Sequence, residues 1–430
     1  MRPTFTNSSW YTYALPSVIV IKEEACSSFL EMGYDTDVLI IGAGPAGLSA
    51  AKQLALMDMP YILIHRERSP CERKACGGFI PLRALERFEI EDFPGAYPVE
   101  AVRMRFPGTD SSVVEFDEKV GVNATRYDIG QAQLSSISQA DSIWSETEAV
   151  RVDITADRCV TMIVRDEQTE ETSSQIVIDA SGVNPFTQRL VPIRDRIPNT
   201  SMGYAVQYQM RLGSDSEQLR GVNDFIYGSE YSPGGYAWAF PRGKEVAVGI
   251  GGLIERVRNS KKRVKDYLDD MLASFEPLKS ELENATVFRQ ESALMPLAGI
   301  VRPSYSQRLM LAGDAAGHCS PITGEGIFYS MIAGELAAMT AHEAIRRDDI
   351  TANQLARYEK RWIQEFGSDL KWGLWLQRRF LREGSTSMGS VFLRSKRSQR
   401  LIAEMLLGKR SVRGTIVRAI PSYIRSKLGV

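Results

Sequence analysis

The hydrophobic pattern near the start of the chain predicts a strand, a helix and a second strand. Residues 37–41 (DVLII) form an uninterrupted apolar run, which is typical of a buried parallel strand. Residues 45–57 place apolar side chains at helical spacing among good helix formers, and residues 60–64 (PYILI) form a second apolar run. Strand, helix and strand with short connections predict a βαβ unit and therefore a parallel sheet.

Later parts of the chain have a different periodicity. Apolar and polar residues alternate through 143–179 and again, in longer stretches broken by Gly and Pro, through 200–253. A period of two residues predicts strands of a sheet with one covered face. The other predicted elements are, in chain order, a helix at 259–275, a buried strand at 308–314, an apolar helix at 325–345 and a mostly helical region at 351–430.

Composition and charge exclude several classes of protein. The 430 residues are 43% hydrophobic and 24% charged, which is ordinary for a globular protein and excludes a disordered or collagen-like chain. A net charge of −1 argues against a nucleic acid partner. Five dispersed cysteines and three histidines favour a reducing, cytoplasmic compartment and predict no disulfide framework and no metal site. No apolar run is long enough to cross a bilayer, so we expect no spanning helix.

The two ends of the chain stand apart from this pattern. Residues 1–31 lack the basic start and long apolar core of a signal peptide, so we expect an accessory extension, either disordered or packed as a short strand pair. Between Arg394 and Lys427 there are ten Lys or Arg residues and one acidic residue, a net charge of +9. This basic tail contains LIAEMLL and TIVRAIPSYI, and we predict that it contacts an anionic membrane surface, with a solvated face of packed helices as the alternative.

A GxGxxG motif follows the first predicted strand and opens the first predicted helix. It consists of Gly42, Gly44 and Gly47 with Pro45 and Ala46 between the last two glycines. The first glycine permits the tight turn, the second lets a pyrophosphate approach the backbone, and the third lets the helix pack close to the sheet. This context predicts a dinucleotide site formed by these five residues.

The second predicted strand ends where such sites usually carry an acidic residue that binds a ribose hydroxyl. This chain has His65 and Arg66 there, followed by Glu67. A histidine can donate to or accept from a hydroxyl. We therefore predict that His65 and Arg66 bind the cofactor, with Glu67 as an alternative ribose ligand.

Three further segments identify the dinucleotide. Residues 308–326 (RLMLAGDAAGHCSPITGEG) resemble the second flavin motif of the FAD hydroxylase superfamily, IVIDASG (176–182) resembles its middle motif, and ATRYDIGQAQL resembles a segment beside the cofactor. The resemblance implies FAD, with Asp314 on a ribityl hydroxyl and a helix N-terminus at the flavin pyrimidine edge, where it would stabilise the reduced flavin. The cofactor-binding residues that it implies are Arg126, Asp179, Gly182, Gly313, Asp314, Gly324, Gly326 and Ile327.

Two motifs point to the substrate. Residues 236–251 (YAWAFPRGKEVAVGIG) and 76–81 (CGGFIP) closely resemble signatures of geranylgeranyl reductases, and the similarity extends over about residues 35–345. The family implies a flavin enzyme that saturates isolated double bonds of prenyl chains by hydride transfer from flavin N5. The prenyl group is most expected on membrane ether lipids or prenyl diphosphates, with tetrapyrroles and quinones as further carriers.

Side chains of these two motifs are the catalytic candidates. Tyr236, Trp238 and Phe240 alternate along a strand, so they face one side and would form an apolar wall for an isoprenoid, or simply a packed core. The family places Cys76 and Gly77 beside flavin and substrate, where Cys76 would gate the loop, protonate substrate or pack. His318 follows Asp314 and is interpreted as a capping residue, with a proton source as the alternative.

The sequence leaves the electron donor and two alternative functions open. A single nucleotide-binding motif means that electrons come from transiently docked NAD(P)H or from a ferredoxin-like protein. The same fold would also suit an FAD-dependent monooxygenase or a halogenase-like enzyme acting on an aromatic small molecule or a peptide-bound substrate. A flavin-binding protein without turnover is the third alternative.

The predicted fold class is α/β. We expect a glutathione-reductase-type, Rossmann-like FAD domain with an inserted antiparallel β-sheet substrate domain and a helical C-terminal region. The predicted boundaries are 1–31 for the extension, 32–97, 121–190 and 290–345 for the FAD domain, 98–120 and 191–289 for the substrate domain, and 346–430 for the helical region with its basic tail.

Overall fold

The computed structural model describes most of the chain after residue 33. All described residues belong to one compact unit, Tyr34–Val430. The predicted N-terminal extension and residues 420–430 of the basic tail lie outside the described residues. The described ranges are 34–72, 74–106, 111–138, 140–213, 218–258, 260–383 and 395–419.

The elements alternate between strands and helices in the first third and become helical at the end. The strands are β1 Thr36–Ile41, β2 Tyr61–Ile64, β3 Phe79–Pro81, β4 Tyr97–Val99, β5 Ala101–Arg105, β6 Ser112–Glu115, β7 Gly121–Asn123, β8 Ile143–Trp144, β9 Glu148–Ile154, β10 Cys159–Arg165, β11 Gln168–Asp179, β12 Met202–Arg211, β13 Val222–Ile226, β14 Tyr236–Arg242, β15 Glu245–Leu253, β16 Thr286–Pro296, β17 Tyr305–Ser306 and β18 Leu309–Leu311. The α-helices are α1 Pro45–Leu56, α2 Leu82–Arg87, α3 Arg126–Ser135, α4 Ile254–Arg258, α5 Val264–Ser274, α6 Glu276–Glu281, α7 Ile327–Arg346, α8 Ala352–Trp362, α9 Ser368–Glu383 and α10 Lys396–Leu406. Short 3₁₀ turns lie at Ala140–Ser142, Thr187–Arg189, Asn199–Ser201 and Gly313–Ala316, a π-helical turn lies at Ile363–Gly367, and residues 412–419 are helical.

The predicted parallel sheet is confirmed as the centre of the fold. Its strand order is β17-β18-β11-β1-β2-β8, and β11 also pairs with antiparallel β10, which pairs with β9. β1 runs parallel to both β2 and β11. Alternate residues of β1 belong to different apolar clusters, Val38 and Ile40 on one face and Leu39 and Ile41 on the other. Both faces are therefore covered, which explains the uninterrupted apolar run.

Helices α1 and α7 pack against each other on one face of this sheet. The contact depends on Gly334 of α7, because a Cβ there would lie 2.0 Å from the Ala46 carbonyl oxygen. A side chain at this position would force the helices apart. The close approach fixes the N-terminal end of α7 beside the turn that follows β1.

A second sheet has seven strands in the order β16-β12-β15-β14-β13-β5-β6. It is antiparallel except where β13 meets β5. Helices α5 and α6 cover one face through apolar residues such as Leu268, Met271 and Leu278. Strand β16 pairs with β12 along its whole length, and it spans residue 290, where the sequence placed a domain boundary.

The C-terminal region is helical, as predicted, and the described part of its basic tail packs on the protein. Leu401, Ala403, Met405 and Leu406 of α10 are buried, and α10 contributes to the apolar cluster that contains Val114 of β6. The apolar face of LIAEMLL is therefore covered by the protein itself. No helix in the described ranges is long and apolar enough to cross a membrane.

Candidate active site

A cavity of about 680 Å³ lies between the parallel sheet and the seven-stranded sheet. It brings together most of the residues that the sequence predicted for cofactor and substrate, although they are spread over almost 290 positions. The predicted residues on its lining are Gly42, Gly44, Pro45, Ala46, His65, Arg66, Cys76, Gly77, Arg126, Gly182, Tyr236, Trp238, Phe240, Gly313, Asp314, Gly324, Gly326 and Ile327.

The three glycines of the GxGxxG motif have different surroundings. Gly42 has φ +107°, and a Cβ there would lie 2.6 Å from the Ala180 carbonyl oxygen. A Cβ on Gly47 would lie 1.8 Å from the Gly42 carbonyl oxygen, so Gly47 is needed for packing and does not line the cavity. At Gly44 no atom lies within 4 Å of the Cβ position. The open space at Gly44, directly before α1, fits a pyrophosphate at a helix N-terminus.

His65 lies at the end of β2 with its side chain buried against the cavity. The backbone is fixed on both sides, because its N–H donates to the Trp144 carbonyl and its carbonyl accepts from Thr147 N–H. The imidazole Nδ1 is buried and has no hydrogen-bond partner among the described residues. Burial lowers the pKa of His65 and keeps the ring neutral. A buried, neutral imidazole nitrogen without a partner can form a hydrogen bond with a ribose hydroxyl.

Glu67, the alternative ribose ligand, also lines the cavity but has a local partner. Its Oε2 accepts the backbone N–H of Glu72 at 3.1 Å. This hydrogen bond shapes the loop between β2 and β3.

Four cationic side chains line the cavity, namely Arg66, Lys74, Arg126 and Arg189. Arg126 is the first residue of α3 and is buried; its Nη2 lies 3.9 Å from Cys71 Sγ, and its Nε is buried without a hydrogen-bond partner in the described part of the chain. Lys74 Nζ lies 3.9 Å from Asp314 Oδ2. These cations fit the negative charge of a pyrophosphate.

Two glycines shape the opposite end of the cofactor region. Gly313 has φ +65°, which turns the chain sharply after β18 and presents Asp314 to the cavity. A Cβ on Gly326 would lie 3.6 Å from Asp314 Oδ1, and Gly326 caps α7 without a side-chain hydrogen bond. The N-terminus of this 20-residue helix thus opens next to Asp314, which fits a group that gains negative charge on reduction.

Asp179 and His318 do not line the cavity. Asp179 is fully buried and accepts hydrogen bonds from the backbone and hydroxyl of both Ser181 and Thr187, at 2.5–2.9 Å. Asp179 thereby positions the loop after β11, including Ser181 on the cavity lining, but it does not itself line the cavity. His318 is fully buried against the rings of Tyr358, Trp362 and Phe366. Burial, with Arg194 nearby, lowers the pKa of His318 to about 3, so the ring is a neutral packing residue and not a cavity proton source.

The three aromatic residues of β14 share one face, as their alternation predicts. Ring centroids lie 6.2 Å apart for Tyr236 and Trp238 and 6.4 Å apart for Trp238 and Phe240. The G-x-G that follows on β15 makes room for the central ring, because a Cβ on Gly249 would lie 2.4 Å from Trp238 Cζ2 and one on Gly251 would lie 3.2 Å from Cζ3. The glycines of the signature therefore admit the indole itself.

The Cys-Gly-Gly loop packs against this aromatic wall. A Cβ on Gly77 would lie 3.0 Å from two Phe240 ring carbons and 3.2 Å from Trp238 Nε1. The loop is held from the sheet side by Gln207 Nε2, which donates to the Cys76 carbonyl at 2.9 Å. Cys76 is half-buried on the lining, and both Cys76 and buried Cys71 are free thiols.

Several lining residues were not predicted. Aliphatic side chains come from β16 and the loop after it, and Leu406 comes from α10; β16 was not predicted as a strand and nothing in the sequence links α10 to the cavity. Glu325 lies between Gly324 and Gly326 in the predicted flavin motif 308–326, and this position is the one feature of the sequence that could have identified it as a cavity residue. Its Oε1 accepts the Phe328 N–H at 2.7 Å and its Oε2 lies 3.6 Å from Arg83 Nη2. Burial raises the pKa of Glu325.

Comparison with known proteins agrees with the site. Residues 202–288 match the family model of the geranylgeranyl reductase catalytic domain. The digeranylgeranylglycerophospholipid reductase of Methanosarcina acetivorans is 29% identical over 369 residues, covering 83% of this chain and 87% of that protein. A second such reductase, from Methanopyrus kandleri, is 29% identical over 79% of this chain and 85% of its own length. The family resemblance predicted from the two motifs is confirmed.

Solved structures share the fold. A geranylgeranyl bacteriochlorophyll reductase-like protein from Thermoplasma acidophilum superposes with a TM-score of 0.80 at 22% identity, covering 91% of this chain and 97% of that one. A flavin-dependent brominase superposes with a TM-score of 0.70 at 18% identity, over 91% and 99% of the two chains. These likenesses confirm the predicted fold class, and at this level of identity they do not separate the chemistries that it carries.

Proposed function

We propose that this chain, whose residues 202–288 match the geranylgeranyl reductase catalytic domain, is an FAD-dependent oxidoreductase that saturates isolated carbon–carbon double bonds in geranylgeranyl chains. The proposed substrate is a membrane ether lipid of the digeranylgeranylglycerophospholipid class, with prenyl diphosphates as the second class. The names of the relatives from Methanosarcina acetivorans and Methanopyrus kandleri support the first class.

One observation carries this proposal: a single cavity has two chemically different linings. One part is formed by glycine backbone and by charged residues such as Arg126 and Asp314. The other part is formed by the aromatic wall of β14 together with aliphatic side chains such as Met295 and Leu297. A dinucleotide fits the first lining and a hydrocarbon chain fits the second, so the two meet inside one cavity.

The residues present fit FAD. Gly44 offers an open cradle for the pyrophosphate, Arg126 offers an unpaired guanidinium nitrogen, and His65 offers an unpaired imidazole nitrogen. Asp314 and the N-terminus of α7 complete the site at its far end. When bound and reduced, FAD supplies the hydride that an unpolarised alkene needs.

The protein itself positions the alkene, excludes water from the cavity and supplies a proton. An isolated trisubstituted alkene offers no polar handle, so the aromatic wall must hold it by shape and exclude water. Tyr236 is fixed for this task because its hydroxyl donates to the Thr323 carbonyl, which ties β14 to the loop before α7. Cys76 is the half-buried thiol on the lining, and we assign it the proton that reaches the second alkene carbon.

The electron donor and the setting of the enzyme form part of the same proposal. Electrons come from NAD(P)H that docks transiently or from a ferredoxin-like protein; rapid flavin reduction by NADPH alone would select the first. The enzyme works peripherally at an anionic membrane surface on the cytoplasmic side, where a membrane lipid substrate is found. The exposed cations of the basic tail, such as Lys396 and Arg413, add electrostatic attraction to that surface.

The experiment is a product analysis with two substrates. Purified holoenzyme receives dithionite as reductant under anaerobic conditions, together with a digeranylgeranylglycerophospholipid or geranylgeranyl diphosphate. We expect products that are heavier by two hydrogens for each reduced double bond, with faster conversion of the phospholipid. Unchanged substrates, combined with oxygen-dependent modification of an aromatic compound, would replace the reductase by the monooxygenase or halogenase alternative.

A further inference from the structure

Helix α9 has an inner face that supports the wall of the cavity. Gln377 Nε2 donates to the Pro321 carbonyl at 2.6 Å, and Gly373 lies so close to the same residue that a Cβ would be 3.1 Å from Pro321 Cδ. Leu370 completes this buried stripe. Pro321 lines the cavity, so α9 is separated from the cavity by a single layer of residues.

The outer face of the same helix carries two cationic side chains with a tryptophan between them. Lys371, Trp375 and Arg378 are spaced at i, i+4 and i+7, which places them on one stripe of the surface. All three are exposed, and Trp375 exposes 48% of its surface although it is the largest type of side chain. Its only described ring partner is Trp372, with ring centroids 5.7 Å apart.

The two cations on this stripe have no acidic partner in the described part of the chain. Among the described residues neither Lys371 nor Arg378 forms an ion pair. The acidic residues near the start of the helix have other partners: Asp369 accepts the Val412 N–H at 3.1 Å, and Glu365 pairs with Arg87 at 3.1 Å. The stripe therefore has a net positive charge around an exposed indole.

The described part of the basic tail, residues 395–419, contains no aromatic residue, and its one large exposed apolar side chain is the aliphatic Val417. The leucines and methionine of α10 are buried on the seven-stranded sheet, so only its cations face solvent. A peripheral protein needs both attraction to headgroups and an apolar or aromatic group at the interface. On the described surface α9 presents the two together, since Trp is the side chain that favours the membrane interface and cations flank it on both sides.

We propose that the stripe Lys371–Trp375–Arg378 is the surface on which this protein docks to an anionic lipid bilayer. Trp375 enters the headgroup region, and Lys371 and Arg378 contact lipid phosphates. This inference rests on the proposed function, because a lipid substrate must pass from a bilayer into the cavity. Docking through α9 places the Pro321 loop, which is the neighbouring wall of the cavity, about one helix diameter from the membrane surface, roughly 10–12 Å.

The test uses full-length holoenzyme and vesicles of phosphatidylcholine, with or without phosphatidylglycerol. The variants are Trp375→Ala and the double variant Lys371→Glu/Arg378→Glu. The matched controls are Phe288→Ala, an exposed aromatic on β16, and Lys244→Glu/Lys261→Glu, two exposed lysines elsewhere. We expect the α9 charge reversal to weaken binding to the anionic vesicles by about tenfold or more, with Trp375→Ala also weaker and both controls close to wild type.

A second measurement locates Trp375 directly. Quenching by spin-labelled lipids is compared for the wild type and Trp375→Phe, and we expect the variant to lose the quenched fraction of the emission. Unchanged vesicle binding in the α9 variants, equal loss in the controls, or unchanged quenching would overturn the proposal. An α9 variant that instead loses self-association or binding to an acidic protein would also overturn it, because the stripe would then be a protein interface.

Failure of the reductase assignment gives a different result. Turnover of detergent-dispersed substrate does not require docking, so the α9 variants should keep that rate while their rate on vesicle-embedded substrate falls. Absence of prenyl reduction by the wild type in detergent would contradict the proposed function, whereas the vesicle-binding measurement would still decide on the docking surface.

Discussion

Trp238 lies directly against Gly77, 161 positions earlier in the chain: a Cβ on Gly77 would be 3.2 Å from the indole Nε1. The indole N–H is buried and has no hydrogen-bond partner in the described part of the chain. The two family signatures, one on a loop and one on a strand, thus form a single contact in the wall of the cavity. Substitutions on either side of this contact should affect substrate turnover before they affect the cofactor.

Gly77→Ala tests the loop side of the contact. The added methyl group would lie 3.0 Å from Phe240 ring carbons, so either the loop or the ring must shift. We expect a loss of prenyl turnover of about 100-fold, the size expected for a displacement of roughly 1 Å in an active site, with FAD still bound. Phe240→Leu added to Gly77→Ala makes room and should recover part of the rate; an unaltered rate in Gly77→Ala would contradict the assignment.

Trp238→Ala tests the strand side. Loss of the indole opens the aromatic wall, and we expect prenyl reduction to be abolished while the flavin absorbance spectrum of the purified protein persists. Trp238→Phe keeps an aromatic wall without the N–H and should retain measurable turnover. Normal turnover by Trp238→Ala would remove this residue from the substrate wall.

Gly44→Ala and Gly47→Ala form a matched pair on the cofactor side. Gly44 has free space where a Cβ would be, so Gly44→Ala should fold normally and bind FAD about tenfold or more weakly because the methyl group occupies the pyrophosphate position. Gly47→Ala would bring a methyl group to 1.8 Å from the Gly42 carbonyl, so it should lose folding along with FAD. Thermal unfolding and FAD titration of the two apoproteins separate these outcomes. Equal FAD affinity of Gly44→Ala and wild type would argue against the assigned cradle.

His318 makes stability depend on pH. The pKa of His318 is about 3 in the folded protein, compared with 6.5 for an ordinary histidine. Between pH 3 and pH 6.5 the unfolded chain therefore binds a proton at this residue that the folded chain does not. Stability from this residue is therefore full above pH 6.5 and falls towards pH 3, by at most about 1.4 kcal/mol for each pH unit. His318→Gln should reduce the drop in melting temperature between pH 7 and pH 5, whereas the control His342→Gln on α7 should not. An identical drop in all three proteins would show that His318 is not the group that titrates.

Local patterns predicted the parallel sheet because each element of the βαβ unit has its own short-range signal. The run at 37–41 became β1, and Gly47 is needed for a contact with Gly42 only five residues earlier. The contact of Gly42 with Ala180, in contrast, is distant in sequence. The aromatic face of β14 was also predictable, since alternation along a strand requires no tertiary information. In contrast, the role of the G-x-G on β15 depends on cross-strand pairing with Trp238, which the sequence does not contain.

The remaining differences arise from contacts distant in sequence. Asp179 has the right position for a cofactor ligand, but Ser181 and Thr187 occupy its carboxylate. Leu406 lines the cavity because α10 packs back on the seven-stranded sheet. The amphipathic pattern of the tail correctly predicted a helix, but the apolar face of that helix is covered by the protein itself. Amphipathicity shows that a face is buried; it does not show whether protein or lipid buries it.

The most direct test of the central claim is a single-turnover experiment. Holoenzyme is reduced anaerobically, mixed with digeranylgeranylglycerophospholipid in detergent, and followed by flavin absorbance and product mass. The account predicts reoxidation of the flavin without oxygen, matched by a product two hydrogens heavier, with neither change in Trp238→Ala. A flavin that stays reduced until oxygen is admitted, with the lipid unchanged, would contradict the assignment as a prenyl reductase.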